Sequence, residues 1–307
     1  MVKLTLAVAA TRYLEAKGGE MRSSTYQGAK LHFSQHWKPL HTIPLASVTR
    51  ADVAAQLQQL IKERGRVSAA RARSNLSALY AWAMREGLVE ANPTIATNNP
   101  AEGIKPRERT LSNAELAAVW RASRDDTFGR ITRLLILTAC RRDEIGGLRW
   151  DEINGNTITI GAARSKNKRP HSITLPPLAM EIIAATPRRP DRDFVFGDGR
   201  DGFNSWGNNA TALRLRIAEA EGKPLPRFTL HDLRRTAATG MAEIGIQPHI
   251  IEVVLNHTSG HKGGVAGIYN RAGYAEPMRV ALERWADHVA GIVEGRPASN
   301  VTALRRP

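Results

Sequence analysis

The residues of this chain best suited to chemistry are basic and phenolic, and they recur at short intervals. His231-Asp232-Leu233-Arg234 sets an imidazole and a guanidinium three residues apart. On a helix both then face one way, while Leu233 turns toward the core. A second imidazole follows in Leu255-Asn256-His257, and Tyr269 lies twelve residues beyond it. Earlier, Thr138-Ala139-Cys140-Arg141-Arg142-Asp143-Glu144 closes a mostly apolar run, and Lys166 stands in Ser165-Lys166-Asn167-Lys168-Arg169. Guanidinium forks match two phosphate oxygens at once, so they can stabilise a phosphodiester gaining charge under attack. A phenol, with an ordinary pKa of about 10, attacks at neutral pH only with cations and a proton acceptor beside it. The set implies metal-free transfer of a phosphoryl group to a tyrosine. Alone, His-x-x-Arg would be a salt-bridged surface face; the second imidazole and the tyrosine change its meaning.

Other chemistries fit less well. His257 and His261 have spacing that would serve a metal on a helix, but Ser259-Gly260 between them argues for a loop. No carboxylate or thiol completes a site, and no metal is expected. Cys140, the one cysteine, ends an apolar run and is expected in the core. There is no Gly-Lys-Ser/Thr phosphate loop, so no nucleotide is implied and the expected cofactor list is empty. Residues 237–255, with Gly245 and Pro248 in the middle, could pass for a helix-turn-helix. A DNA-binding regulator without chemistry is the rival reading.

In this order, the boxes resemble the catalytic domain of the tyrosine recombinases, the phage integrase family. The family's first box reads approximately Thr-Gly-x-Arg-x-x-Glu, matched from Thr138 to Glu144 with Ala139 in place of glycine. The resemblance makes Arg141 the phosphate clamp, with Arg142 a surface or backbone-phosphate contact and Glu144 an orienting partner. It makes Lys166 the hairpin lysine that protonates the departing 5′ oxygen, with Lys168 as runner-up. His231 becomes the proton acceptor, Arg234 the second clamp and His257 a phosphate donor. Tyr269, in Ile-Tyr-Asn-Arg, becomes the nucleophile; Tyr274 is the alternative, read as a packing residue. The catalytic set implied is Arg141, Lys166, His231, Arg234, His257 and Tyr269. The implied activity is site-specific DNA recombination through a 3′-phosphotyrosyl link, for integration or excision of a mobile element. A type IB topoisomerase is a related alternative. Implied partners are double-stranded DNA, a homotetramer on two duplexes joined through exchange of a 276–294 helix, and a directionality factor or host DNA-bending protein. Many integrases of this branch carry a further N-terminal arm-binding domain, and none is expected within these residues.

The elements that must position these groups are mostly helical. Val53, Leu57, Leu60 and Ile61 form one apolar stripe, and Leu76, Leu79, Tyr80, Trp82 and Ala83 another, closed by Gly87. Pro93, Pro100 and Pro106 punctuate a linker. Ser112 with Glu115 predicts a capping box, and Ile131 to Ala139 a buried helix. Asn154-Gly155 signals a turn, residues 157–160 a strand and 172–175 its partner, with Lys166 at the tip between them. Residues 194–196 read as a short extended segment. Met278, Val280, Ala281, Leu282 and Trp285 predict a late amphipathic helix. The expected fold is mainly α with a small β-sheet: a helical core-binding domain over 1–97, a linker over 98–109, a mixed α/β catalytic domain over 110–290 and a disordered tail over 291–307.

Charge agrees with a polyanionic partner. The 307 residues carry 44 Lys and Arg against 29 Asp and Glu, a net charge of +15. Residues 1–107 hold 15 basic and 7 acidic side chains and residues 108–307 hold 29 and 22, so the two parts carry +8 and +7. The excess is spread, as suits two domains touching nucleic acid. A lone cysteine excludes an internal disulfide framework, and no apolar run reaches the roughly 18 residues of a membrane span. The start, 4–10, fits an amphipathic helix better than a signal peptide, because Arg12 and Glu15 interrupt it. A cytoplasmic, DNA-associated protein with no membrane partner is expected.

Overall fold

The computed structural model describes residues 4–105, 107–197, 201–257 and 274–296. The predicted disordered tail, 291–307, is corrected at its start, where residues 291–294 complete the last helix; the part beyond 296, together with Tyr269 and His261, lies outside the described residues. The chain divides into two compact units, Met1–Arg107 and Glu108–Pro307, each with its own core.

The first unit is helical: α1 (Leu6–Gly18), α2 (Ser23–Leu31), α3 (Arg50–Arg64) and α4 (Arg66–Arg85). Thr49 caps α3 and Asp52 returns the bond to the Thr49 amide, which satisfies two donors the first turn would leave open. The predicted stripes are the core, with Val53, Leu57, Leu60, Leu76, Leu79 and Tyr80 all buried. Trp37 is fully enclosed, and its indole donates to the Ala72 carbonyl at 3.1 Å. Part of the proline-rich stretch folds back on α4: Asn92 donates to Ser77, and Arg73 to the Thr94 and Thr97 carbonyls.

The second unit opens with α5 (Asn113–Ala122), capped by Ser112 and Glu115 as predicted. Buried α6 (Thr127–Thr138) follows, then the one-turn helix α7 (Arg142–Gly146). An antiparallel sheet in the order β1-β2-β3 comes next: β1 (Ile153–Asn154), β2 (Thr157–Ile160) and β3 (His171–Thr174). Phe194 and Val195 run extended beside Arg149 and Leu148. The remaining helices are α8 (Pro177–Ala184), α9 (Trp206–Ala220), α10 (Leu230–Glu243), α11 (Pro248–Val254) and α12 (Ala275–Glu294). Helices α6 and α10 pack together, and α12 braces both. The Trp285 ring on α12 lies so close to Gly240 that an added Cβ would fall 2.4 Å from it, and its indole donates to the Ile136 carbonyl. These two helices carry or end beside the groups of interest. Among the described residues, no helix is long and apolar enough to cross a membrane.

Candidate active site

The site begins where α6 stops. Ala139 takes the left-handed conformation, φ 52°, and turns its carbonyl back toward α10. That carbonyl accepts from Arg234 Nη1, while the Leu255 carbonyl past the end of α11 accepts from Nη2. Next in chain is Asn256, also left-handed at φ 45°, whose carbonyl accepts from Arg141 Nη2 at 3.3 Å and from the Asn167 amide. Both guanidinium groups are thus held by main-chain oxygens at two helix ends. Glu144 supplies the second hold on Arg141: its carboxylate accepts from Arg141 Nη1 at 2.8 Å and from the Arg141 amide at 2.9 Å.

Charge crowding sets the titration of the group. Arg234 is 4% exposed. Burial and then the neighbouring Arg141 lower its pKa to about 10, which leaves it a cation at neutral pH. His231 stands one turn earlier on α10, its helix start fixed by Thr229 and buried Asp232. Desolvation of the ring, then Arg235, Arg234 and Lys166, pull its pKa down, favouring a neutral imidazole that can accept a proton. His257 is lowered by desolvation and by Arg234, while Glu252, 3.2 Å from its Nδ1, opposes them. Cys140 is fully buried and its thiol is pushed up to about 12, so it is a packing residue.

Arg141, Lys166 and His231 line one open cleft of about 510 Å³. Lys166 reaches it from the loop between β2 and β3; Lys168 is exposed and is not one of the lining residues. Arg234 and His257 belong to the same electrostatic cluster through Arg141. Tyr274 heads α12, packed against the core with its ring 5.7 Å from that of His249. No group of three or more potential metal ligands occurs among the described residues.

The sequence did not single out four further residues here. Asn167 ties the loop after Lys166 to the Asn256 carbonyl. Arg164 donates to the Glu144 carbonyl and to Glu152, tying the start of that loop to α7. Trp206 faces Arg142 across the cleft mouth. His171, at the start of β3, is buried in the field of Glu144, Arg234 and Arg141, with the Val253 backbone beside its ring. Burial drives its pKa down to about 4, so it is neutral. Only the basic Ser165–Arg169 stretch offered a signal, and it pointed at the lysines.

The fold and site define a two-unit, mainly helical protein with an open, cationic cleft lined by a histidine. Residues 112–275 match the phage integrase family and residues 6–99 the phage integrase central domain. The chain belongs to the phage integrase family. It is 28% identical over 260 residues to prophage integrase IntA of Escherichia coli K12, a match that covers 80% of this chain and 60% of that protein. The chain spans about three fifths of the length of the curated relatives it matches. Its fold is similar to a lambda integrase (75–356) dimer bound to a core site, with a TM-score of 0.66 at 22% identity, covering 83% of this chain and 96% of that one. It is also similar to a lambda integrase tetramer bound to a Holliday junction, with a TM-score of 0.66 at 20% identity, covering 85% and 80%.

Proposed function

We propose that this chain is a site-specific DNA recombinase that cuts and rejoins strands through a phosphotyrosine, serving integration or excision of a mobile element. What supports the reading is one observation: Arg141, Lys166 and His231, from three separate parts of the chain, line a single cleft, with buried Arg234 in the same charge cluster as Arg141. In this reading Arg141 and Arg234 bind the non-bridging oxygens of the scissile phosphate, and His257 donates a third hydrogen bond. Tyr269 is the nucleophile. Its phenol proton passes to His231, and its oxygen bonds to phosphorus as the bond to the 5′ oxygen breaks. Lys166 gives that leaving oxygen its proton. Phosphodiester energy is retained in the phosphotyrosyl bond, so a 5′ hydroxyl from another duplex reverses the step without a nucleotide. Assembly is as a tetramer on two duplexes in the cytoplasm, with a directionality factor or a DNA-bending protein as auxiliary partner.

The test is trapping on nicked duplexes taken from the DNA that flanks the coding sequence. A covalent adduct that survives denaturation is expected; a regulator without chemistry forms none. Tyr269→Phe is expected to abolish the adduct and keep DNA binding, and an adduct that persists in this variant transfers the role to Tyr274. Exchange of strands between two marked duplexes, rather than relaxation of supercoils alone, separates a recombinase from a topoisomerase.

A further inference from the structure

Beyond the phosphate pocket the cleft continues along α9. Trp206, Ala210 and Arg214 are spaced four residues apart, so they share one face of that helix, and all three line the cleft opposite Arg141 and His231. The Trp206 ring is locked in place. A Cβ on Gly146 would fall 2.4 Å from it, so only glycine permits the contact, and Phe203 meets its edge at 4.7 Å. On this fixed ring lies the Arg142 guanidinium, 5.0 Å from the ring centroid. Stacking restrains the plane of a guanidinium while its N–H edge stays able to donate. The partner of that edge is Asp143, at 3.0 Å from Nε and 3.3 Å from Nη2. Both side chains are exposed, 47% and 74%, and exposed pairs of this kind are readily displaced. Arg214 donates to Thr211 of its own helix at 2.9 Å.

We propose that Arg142, laid on Trp206, and Arg214 form a second anion subsite that grips a phosphate neighbouring the scissile one on the DNA backbone. The proposal rests on the recombinase reading of this cleft. Asp143 occupies the subsite edge until the phosphate displaces it. Trp206 is a positioning residue: it acts through Arg142.

The experiment measures binding of the full chain to a short fluorescent duplex of arbitrary sequence across a salt series. Each phosphate contact contributes about 0.9 to the slope of log affinity against log salt. Arg142→Ala is therefore expected to weaken binding at low salt and flatten the slope by about that amount. Between about 50 and about 200 mM salt, its deficit against wild type should then shrink roughly 3.5-fold. Arg214→Ala should behave alike, and Asp143→Asn should tighten binding. Trp206→Leu should weaken binding when Arg142 is present and have no further effect in the Arg142→Ala background; Trp206→Phe, which keeps a ring against Gly146, controls for folding. Unchanged slopes in both arginine variants, beside a steeply salt-dependent wild type, overturn the subsite and leave the DNA reading intact. A wild type whose binding ignores salt overturns the DNA reading itself. A Trp206→Leu effect that persists without Arg142 removes the clamp.

Discussion

Glu144 faces opposing demands. Burial pushes its carboxyl up, while the Arg141 amide and guanidinium outweigh burial and hold it below the usual carboxylate range. Removing it would leave Arg141 half-buried without its counter-charge, and breaking such a pair costs about 3 kcal/mol. Glu144→Ala is therefore expected to lower the urea midpoint of the second unit, and to slow adduct formation more than it weakens DNA binding. Equal losses in both would mean Arg141 is not oriented by Glu144. His171 supplies a pH prediction. Its native pKa of about 4 lies below the ordinary value of about 6.5, so the unfolded chain takes up the proton first. Stability is whole above about pH 6.5 and is lost as pH falls from there toward 4. Between pH 7 and 5 the loss through this ring should be on the order of 2 kcal/mol, and His171→Leu should remove it. If the variant's unfolding midpoint falls with pH as steeply as that of wild type, another group is responsible. At this scale the sequence pointed to Arg141, Lys166 and His231, which the structure brings to one cleft. Choosing Arg141 over Arg142 needed the motif, and the structure separates them: one held by Glu144 and a carbonyl, the other stacked on an indole. Trp206 was not legible, because its contact with Gly146 spans sixty positions that no local pattern links.

Ala139, where the family pattern has glycine, is left-handed here, which is the physical reason for glycine in that pattern, and Asn256 is left-handed as well. Asparagine tolerates the conformation and alanine does so less well. Asn256→Ala is thus expected to destabilise by about 1 kcal/mol, and more than Asn256→Gly, although both lose the amide bond to Ser165. Urea unfolding of the two variants decides it; equal losses would put the cost in the side chain rather than in the turn. The start of α10 carries a related expectation. Asp232 accepts from the Thr229 amide and hydroxyl and pairs with Arg235. Asp232→Ala should cost at least about 1 kcal/mol and displace His231 beside it, with a lower adduct rate as the readout. Long amphipathic helices and the capping box at Ser112 could be read directly from spacing, whereas the box at Thr49 is seen in the structure. The strands were harder. β1 is two residues long, too short to alternate, and His171 in a basic stretch read as loop although it pairs with Ile160.

The positive charge is divided almost evenly between the two units, +8 and +7, and each unit has a core of its own. Each, expressed separately, is expected to fold and to bind arbitrary duplex weakly, with its own salt dependence. A unit that folds but ignores DNA would confine recognition to the other. The boundary between the units, after Arg107, falls in the proline-punctuated stretch read as a linker over 98–109, while the change to alternating periodicity near residue 157 marks the sheet inside the second unit. The pocket's three-dimensional closure was not, because its anchors are the carbonyls of Ala139, Leu255 and Asn256. Those oxygens have an evolutionary consequence. Every amino acid supplies the same carbonyl, so the grip on Arg141 and Arg234 is inherited with the path of the backbone rather than with any letter at 139, 255 or 256. Lineages can rewrite those letters as far as the left-handed turns and the core permit, and keep the cations in place.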